Sequence, residues 1–185
     1  MKLAILSDSV VTPLGIGSEI NFLAIQNGKS GIALIENSSL SDVPFYGSYI
    51  HEKNTLQGFT RFENITIQSV EDALKKSNQD FDLIKTAFVL ATTKGNIELL
   101  SSTGHNSKDL LLHHTANKIA KHLGIEKSFV VSNACASGVM AVMLGKQLLE
   151  AGSFQHVIVS GTDVLSKFVV SGFQSLHALS DEPSK

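Results

Sequence analysis

The chain has 185 residues, of which 43% are hydrophobic and 17% charged, and its formal net charge is −2. This apolar fraction is too high for intrinsic disorder, and 3 Pro and 14 Gly are too few for a collagenous or low-complexity chain. The near-neutral charge gives no electrostatic basis for binding nucleic acid or an anionic membrane surface. The single Cys cannot form an internal disulfide, and no apolar stretch is long enough to span a bilayer. We expect one cytoplasmic, globular domain over residues 1–185.

The first half of the chain predicts a strand, a short helix, an irregular stretch and a longer helix. Residues 2–6 have the composition of a strand, and Ser18 then caps a helix over residues 19–26. Between residues 28 and 58, Gly, Ser and Pro favour irregular structure that contains at most a hairpin. Apolar residues at helical spacing predict the next helix over Arg61–Ser77.

The second half of the chain alternates strands with helices. Apolar, β-branched runs of strand length cover residues 84–91, 129–132 and 156–160. After the first of these, Ser107 caps a helix that carries an apolar stripe and ends at Gly124. The helix over residues 136–151 is apolar nearly all round, so we expect it to be buried. The alternation predicts an α/β sheet with helices on both faces, and the pattern weakens after Gly161.

The segment around Cys135 has the pattern of a nucleophile. A strand ends, a run of small residues follows, and a helix starts directly after the thiol. The first free N–H groups and the positive dipole end of that helix favour a thiolate, and the same N–H groups can hold an oxyanion. Ala134 and Ala136 leave room for a substrate carbonyl. The arrangement is that of a nucleophile elbow with Cys in place of Ser, and it argues against an inert buried thiol.

Three other patterns have weaker functional interpretations. Four histidines lie close together without a His-Glu-x-x-His spacing, which favours solvated or capping roles over metal binding: His105, His113, His114 and His122. Gly15-x-Gly17 hints at a dinucleotide loop, but Ile20 stands where the third glycine belongs. Lys94 beside Gly95 has two interpretations, a contact to the phosphate of a pantetheine arm or an ordinary lysine at a strand end, and the second is favoured.

With these residues in view, the sequence resembles a known family. The segment Asn-Ala-Cys-Ala-Ser-Gly over residues 133–138 resembles the nucleophile motif of the β-ketoacyl-acyl carrier protein synthases. Val-Thr-Pro-Leu-Gly at residues 11–15 is similar to the family's N-terminal signature, and Arg61-Phe62 opens a helix as in many members. Gly172-Phe173 and the Ala-Leu-Ser at residues 178–180 resemble two further motifs in the family's order.

The sequence departs from the family in two places. Members have a Gly-Ser-Gly-x-Gly-Gly stretch after the central strand, whereas residues 91–96 read Ala-Thr-Thr-Lys-Gly-Asn, so we expect a differently shaped acyl pocket. The family's two catalytic histidines and its gating loop belong to a second half that these residues do not match. His156 and His177 lie in no matching motif.

The resemblance implies a thiolase-like fold, of which residues 1–185 form the N-terminal half, with a mixed sheet and helices on both faces. It implies that Cys135 is the catalytic nucleophile of a 3-oxoacyl-acyl carrier protein synthase, which condenses an acyl group with malonyl carrier protein and loses CO₂. Thr93, Ala134, Ala136 and Phe173 are the substrate-pocket residues that it suggests. It implies no metal or redox cofactor, an acyl carrier protein with its phosphopantetheine arm as partner, and a homodimer that pairs through residues 129–132.

Two alternatives remain open. The chain is a non-catalytic subunit or fragment that a partner completes, or it is a thiolase-superfamily enzyme that acts on coenzyme A thioesters. Cys135 argues against the chain-length-factor subunits, which resemble the synthases but lack that nucleophile. A half without its second layer is also expected to expose the faces of the strands over residues 84–91 and 156–160.

Overall fold

The structure is a computed structural model that describes residues 3–51, 56–102, 104, 106–180 and 182. Its strands are β1 Val11–Thr12, β2 Gly15–Ile16, β3 Ala33–Ile35, β4 Phe45–Gly47, β5 Thr86–Ala91, β6 Lys127–Val131 and β7 His156–Gly161. Its helices are α1 Ser18–Gln26, α2 Arg61–Ser77, α3 Leu112–His122, α4 Ser137–Glu150 and α5 Lys167–Ser175.

The main sheet is parallel and has three strands in the order β6–β5–β7. In the register of this sheet, Val89 of β5 lies between Phe129 of β6 and Val159 of β7. Antiparallel pairing occurs in two separate two-stranded units, β1 with β2 and β3 with β4. The second unit is the hairpin that the sequence allowed between residues 28 and 58. We expected one mixed sheet. In the described residues, the parallel strands form one sheet and the antiparallel strands form two separate pairs.

Helices cover both faces of β5, as the sequence predicts. Phe88 and Leu90 pack into a cluster with residues of α2 and α3, whereas Val89 and Ala91 pack against Ala141 of α4. Every residue of β5 is therefore buried. The expectation that the strand over residues 84–91 exposes a face is wrong for β5, because these three helices already supply both neighbouring layers. Ile84 and Lys85 are exposed, but they lie in the 3₁₀ turn Leu83–Lys85 that precedes the strand.

Helix α2 has the bounds that the sequence predicts, and its start is fixed locally. The Thr60 hydroxyl accepts a hydrogen bond from the Glu63 N–H (3.2 Å), and the Glu63 carboxylate accepts one from the Thr60 N–H (2.9 Å). This reciprocal capping box satisfies two N–H groups that the helix itself leaves unpaired. At the other end, Asn78 adopts a left-handed conformation with φ of 50°.

The predictions for two segments are wrong, and a third segment, α5, forms a helix that the sequence does not predict. The described part of residues 2–6 forms no strand, because no strand of the described residues pairs with it. Helix α4 is buried on its sheet-facing side only, and its outer face is open, with Val139 68% exposed. Helix α5 lies where the sequence pattern weakens, and the Ser166 hydroxyl caps it by accepting a hydrogen bond from the Val169 N–H (3.3 Å).

Smaller differences occur at two helix starts. Gly17 precedes α1 as its cap, and Ser18 is the first helical residue, with its hydroxyl donating to Asp8 instead. Ser107 begins a short 3₁₀ turn, Ser107–Leu110, before α3 starts at Leu112. Among the helices of the described residues, none combines the length and the hydropathy needed to cross a membrane.

Candidate active site at the Cys135 turn

Cys135 lies in a 3₁₀ turn, Ala134–Ala136, that joins the end of β6 to the start of α4, and its side chain is exposed. Ala134 has φ of 45°, a left-handed conformation that costs a non-glycine residue about 1–2 kcal/mol. Such conformations persist only where the surroundings enforce them, and they cluster at functional sites. The backbone at this turn is therefore held in a conformation that alanine does not favour.

The side chain of Ser137 holds this turn. Its hydroxyl accepts a hydrogen bond from the Asn133 N–H (2.8 Å) and donates one to the Ala134 carbonyl (2.7 Å). Ser137 is itself buried, so both hydrogen bonds are partly shielded from water. The Ser137 hydroxyl thus links the Asn133 N–H to the Ala134 carbonyl, directly beside the Cys135 thiol.

The N-terminus of α4 lies directly after the Cys135 turn and has no side-chain cap. The first N–H groups of a helix have no partner within the helix, and they carry the positive end of its dipole. The Ala136 N–H is already used inside the turn, where it donates to the Asn133 carbonyl (3.0 Å). An exposed thiol followed by an uncapped helix N-terminus is the arrangement that thioester chemistry requires of a nucleophile and an oxyanion site.

The loops that follow the three sheet strands meet at the edge of the sheet that carries Cys135. The Thr92 N–H donates to the Val131 carbonyl (3.2 Å), and the Thr162 N–H donates to the Ala91 carbonyl (3.2 Å). The Thr92 hydroxyl also donates to the Asp163 carboxylate (3.2 Å). These contacts extend the sheet by one residue on each side of β5, at the carboxyl ends of its strands, where open α/β sheets bind ligands.

Lys94 is engaged by two neighbours at this edge. Its ammonium donates to the Thr93 hydroxyl and lies 3.7 Å from the Asp163 carboxylate. The lysine therefore has a carboxylate partner within the chain, which supports the ordinary structural interpretation over a phosphate contact.

A buried polar network fixes the loop that contains Thr92 and Thr93. The Asn96 amide donates to the Glu63 carboxylate (3.1 Å) and to the Asp109 carbonyl (2.9 Å), and its oxygen accepts from the Thr60 hydroxyl (2.6 Å). The Glu63 carboxylate, which is buried, also forms an ion pair with Lys118 (2.6 Å). Buried charges and amides require such partners, and this network attaches the loop to both α2 and α3.

Gly15 and Gly17 lie in a turn whose carbonyl groups are bound by a side chain of the same chain. The Asn21 side-chain amide donates to the carbonyls of Val10 (3.0 Å), Gly15 (3.1 Å) and Gly17 (2.8 Å). The Thr12 hydroxyl accepts the Leu14 N–H (3.0 Å) and donates to the Asn21 oxygen. A protein side chain therefore occupies the centre of this turn, which argues against the dinucleotide interpretation.

Two of the clustered histidines have separate carboxylate partners. His114 lies 3.5 Å from the Asp109 carboxylate, and His122 lies 3.8 Å from the Glu71 carboxylate. Among the described residues, no three His, Cys, Asp or Glu side chains come close enough together to hold a metal ion. His105 lies outside the described residues.

The structure brings some of the predicted site residues together. Ala134, Cys135 and Ala136 share one turn, and Thr93 lies at the same edge of the sheet. Phe173 lies on α5, which packs against the 3₁₀ turn Ile97–Ser101, and its ring is about half exposed. The sequence reasoning missed the role of Ser137, although a hydroxyl at the first position of a helix is a recognisable signal for a local backbone contact.

Comparisons with known proteins give a consistent result. The sequence model described as "Beta-ketoacyl synthase, N-terminal domain" matches residues 79–185. A curated relative, a "Beta-ketoacyl-[acyl-carrier-protein] synthase III" of Porphyra purpurea, is 25% identical over 125 residues, which are 65% of this chain and 33% of the relative.

Two solved structures share the fold. The ketosynthase ApeO in complex with its chain length factor ApeC, from Xenorhabdus doucetiae, has a TM-score of 0.74 at 18% identity, covering 95% of this chain and 51% of that one. The ishigamide ketosynthase/chain length factor has a TM-score of 0.77 at 16% identity, covering 96% and 51%. The chain thus spans a third of the curated relative and about half of each matched structure.

Proposed function

Because the chain belongs to the β-ketoacyl synthase family, we propose that it supplies the nucleophile half of a 3-oxoacyl-acyl carrier protein synthase. The observation that carries this proposal is the exposed Cys135 thiol in a strained turn before the uncapped N-terminus of α4. Its thiolase-like fold is that of the N-terminal half of ketosynthases. Fold alone does not define an activity, so the proposal rests on this turn.

The first chemical step is acyl transfer to Cys135. Its sulfur attacks the thioester carbonyl of an acyl carrier protein, and a bond forms between that sulfur and the carbonyl carbon. The negative charge develops on the carbonyl oxygen, where the backbone N–H of Cys135 and the N–H groups that follow Ser137 in the first turn of α4 stabilise it. The Ser137 N–H itself already donates to the Ala134 carbonyl. The bond to the phosphopantetheine sulfur then breaks, and that thiol leaves with the proton from Cys135. No metal or redox cofactor takes part.

The second step is a decarboxylative condensation. Malonyl carrier protein loses CO₂, and the resulting carbanion attacks the acyl carbon, which releases Cys135 and yields a 3-oxoacyl thioester. No motif in these residues supplies the proton-handling groups that the loss of CO₂ requires. We therefore expect acyl transfer without condensation from this chain alone, and condensation only together with the rest of the fold. Thr93, Ala134, Ala136 and Phe173 remain the proposed pocket residues.

A homodimer that pairs through β6 is part of the proposal. Within the described residues, β6 pairs with β5 on one side only, and it leads directly into the Cys135 turn. Pairing at its open side brings the second copy close to the nucleophile, and it covers an edge that otherwise favours aggregation.

The experiment that tests the proposal is acyl loading measured by intact-protein mass spectrometry. The chain is incubated with octanoyl-acyl carrier protein and, separately, with octanoyl-coenzyme A. We expect one octanoyl group on Cys135 from the carrier-protein substrate, none in Cys135→Ala, and no 3-oxoacyl product when malonyl carrier protein is added. Loading from coenzyme A alone indicates the thiolase-type alternative. No loading of a folded chain from either donor contradicts the nucleophile assignment and favours a non-catalytic subunit.

A further inference from the structure

The β3–β4 hairpin and helix α5 pack together around a small apolar core of their own. Leu40 and Phe45 are buried in it together with Val170, which is distant in the chain. Four partly buried residues pack against these three: Ile35, Tyr49, Leu165 and Leu179. Among the described residues, this small core shares no member with the two clusters that contain residues of β5. We call residues 33–49 and 165–179 the hairpin–α5 unit.

Polar contacts join the two parts of the hairpin–α5 unit as well. The Gln174 side-chain amide donates to the hydroxyl of Ser41, which is buried (2.9 Å). The Lys167 ammonium lies 3.8 Å from the Asp42 carboxylate, in an exposed pair that adds little to stability. Both contacts connect α5 to the segment between β3 and β4. The hairpin and α5 are therefore bound to each other by a buried hydrogen bond in addition to their common core.

The chain passes between this unit and the main core at two pairs of adjacent residues. Tyr49 packs in the unit, whereas Ile50 packs against the cluster that contains Phe88 of β5. Val164 is buried in that same cluster, whereas Leu165 packs in the unit. Both crossings lie outside helices and strands, as does the entry to β3 at residues 28–32. A few loop residues of this kind can absorb the backbone rotation of a hinge while both cores stay intact.

One side chain, that of Arg61 in α2, binds the unit at both crossings. Its guanidinium donates to the Leu165 carbonyl (3.2 Å), and its Cζ atom lies 4.2 Å from the centre of the Tyr49 ring. The guanidinium also lies 3.6 Å from the Glu98 carboxylate, in the 3₁₀ turn Ile97–Ser101 that packs against α5. The Arg61 side chain is only 17% exposed. Its charge-assisted hydrogen bond and its cation–π contact are therefore stronger than they would be on an open surface.

We infer that the hairpin–α5 unit opens from the main core as one piece, about hinges at residues 49–50 and 164–165, and that Arg61 is the clasp that keeps it closed. The small core has few buried side chains, so its opening requires less free energy than unfolding of the whole chain. Helix α5 carries Phe173, so the opening moves this side chain relative to the sheet edge that carries Cys135. Only this consequence for the pocket rests on the proposed function.

Amide hydrogen exchange of the full chain, read residue by residue by NMR, tests whether the unit opens as one piece. We expect the amides of the β3–β4 ladder and the Val170 N–H, which donates to the Ser166 carbonyl (2.9 Å), to share one level of protection below that of β5. Val170→Ala removes apolar contacts of the small core, so exchange in both the hairpin and α5 speeds up by about tenfold or more, with β5 unchanged. Val70→Ala in α2, a buried valine of the main core, is the matched control. It speeds exchange in β5 and leaves the hairpin and α5 unchanged.

Two variants at the clasp test the role of Arg61. Glu98→Gln removes the charge partner but keeps the contacts of Arg61 to Tyr49 and Leu165, so exchange in the unit stays within about threefold of the original. Arg61→Met, added to Glu98→Gln, removes the contacts at both crossings but keeps a long side chain, and we expect exchange in the hairpin and α5 to speed up by about tenfold or more.

Three results overturn the inference. If Val170→Ala speeds exchange in α5 but not in the hairpin, the two do not open together. If β5 speeds up as much as the unit when Arg61→Met is added, the unit belongs to the main core. If Glu98→Gln alone has the larger effect, the ion pair and not the clasp at the crossings keeps the unit closed. None of these results depends on acyl loading of Cys135, so the proposed function can fail while this inference holds.

Discussion

The Ser137 hydroxyl accepts a hydrogen bond from the Asn133 N–H (2.8 Å) across the turn that contains Cys135. Both residues lie outside the turn, one at the end of the segment that leaves β6 and the other at the first position of α4. The same hydroxyl binds the carbonyl of Ala134, the residue with a positive φ. The conformation of the nucleophile turn therefore depends on one side chain that has no part in the chemistry.

Replacing Ser137 by Ala is expected to loosen this turn. The substitution removes two partly shielded hydrogen bonds and the side-chain partner of the Asn133 N–H, which lowers the free energy of unfolding by about 1–2 kcal/mol. It also allows Cys135 to leave its place before the N-terminus of α4, so alkylation by iodoacetamide slows. Urea denaturation and timed mass spectrometry measure the two effects. Ser132→Ala, at an exposed site just before the turn, is the control, and equal behaviour of the two variants contradicts the role of Ser137.

Replacing Glu63 by Gln is expected to destabilise the fold more strongly. The Glu63 carboxylate is buried and pairs with Lys118 (2.6 Å), so the variant leaves a lysine without its charge partner. Lys118 is partly exposed and keeps its hydrogen bond to the Gly58 carbonyl, so losing this charged partner costs about 1.5–3 kcal/mol. Glu71→Gln on the same helix is the control, since Glu71 is half exposed and contacts only His122 at 3.8 Å among the described ion pairs. A loss below about 1 kcal/mol from Glu63→Gln, measured by urea denaturation, refutes this account.

The stability of the fold is expected to depend on the protonation of Glu98. Burial raises the pKa of this carboxyl above its ordinary value, and the charge of Arg61 and a hydrogen bond from the Phe62 N–H offset this in part. The folded state therefore holds the proton more tightly than the unfolded chain does. The contribution of the protonated Glu98 carboxyl to the stability of the fold is fully present below the ordinary pKa of Glu. It is lost as the pH rises through the raised pKa of the folded state. Glu98→Gln removes this loss of stability with rising pH.

Asp72 supplies an internal comparison of opposite sign. Burial raises the pKa of its carboxyl, but hydrogen bonds from Lys76 and Ser9 and the nearby lysine charges outweigh burial and lower the pKa overall. The contribution of the Asp72 carboxylate to the stability of the fold is present above the ordinary pKa of Asp. It is lost as the pH falls through the lowered pKa of the folded state. Urea denaturation between about pH 3 and 7 measures both residues. If Glu98→Gln leaves the pH dependence unchanged while Asp72→Asn alters it, the assignment of Glu98 is wrong.

Gly95 is expected to tolerate no side chain. Its φ is 53°, and a Cβ atom there lies 2.7 Å from the Leu112 side chain. Gly95→Ala therefore lowers the free energy of unfolding by about 1–2 kcal/mol and disturbs the loop that holds Thr92 and Thr93. Gly172→Ala, in α5, meets no atom within 4 Å and is expected to stabilise the helix by up to about 1 kcal/mol. Thermal denaturation compares the two, and a stabilising Gly95→Ala contradicts the conformational argument.

The sequence predicts those elements whose signals are local. Helix α2 follows from its apolar spacing, and the turn with Cys135 follows from the order strand, small residues, helix. The prediction fails where a distant neighbour decides the outcome. A strand at residues 3–6 needs a second strand to pair with, and burial of Val139 needs a further layer over α4.

The contacts that support the candidate site also lie beyond sequence reasoning. Asn96 reaches Glu63, which is 33 residues away, and no periodicity links the two. The positive φ of Ala134 could not be predicted from the sequence either, since alanine disfavours that conformation. The nucleophile could thus be predicted from its neighbours in the chain, whereas the network that fixes the loop beside it could not.

The open edge of β6 allows a direct test of the proposed dimer. Ala91 lies opposite Val131, whose carbonyl accepts the Thr92 N–H, so the N–H of Val130 points away from β5 and toward the open side. Val130→Pro removes that N–H while the ladder to β5 persists, and we expect it to give a monomer. Val130→Ala shortens the same side chain but keeps the N–H, so it remains a dimer. Light scattering distinguishes the two states. A dilute, monodisperse monomer of the unmodified chain, or a Val130→Pro variant that remains dimeric, contradicts pairing through β6.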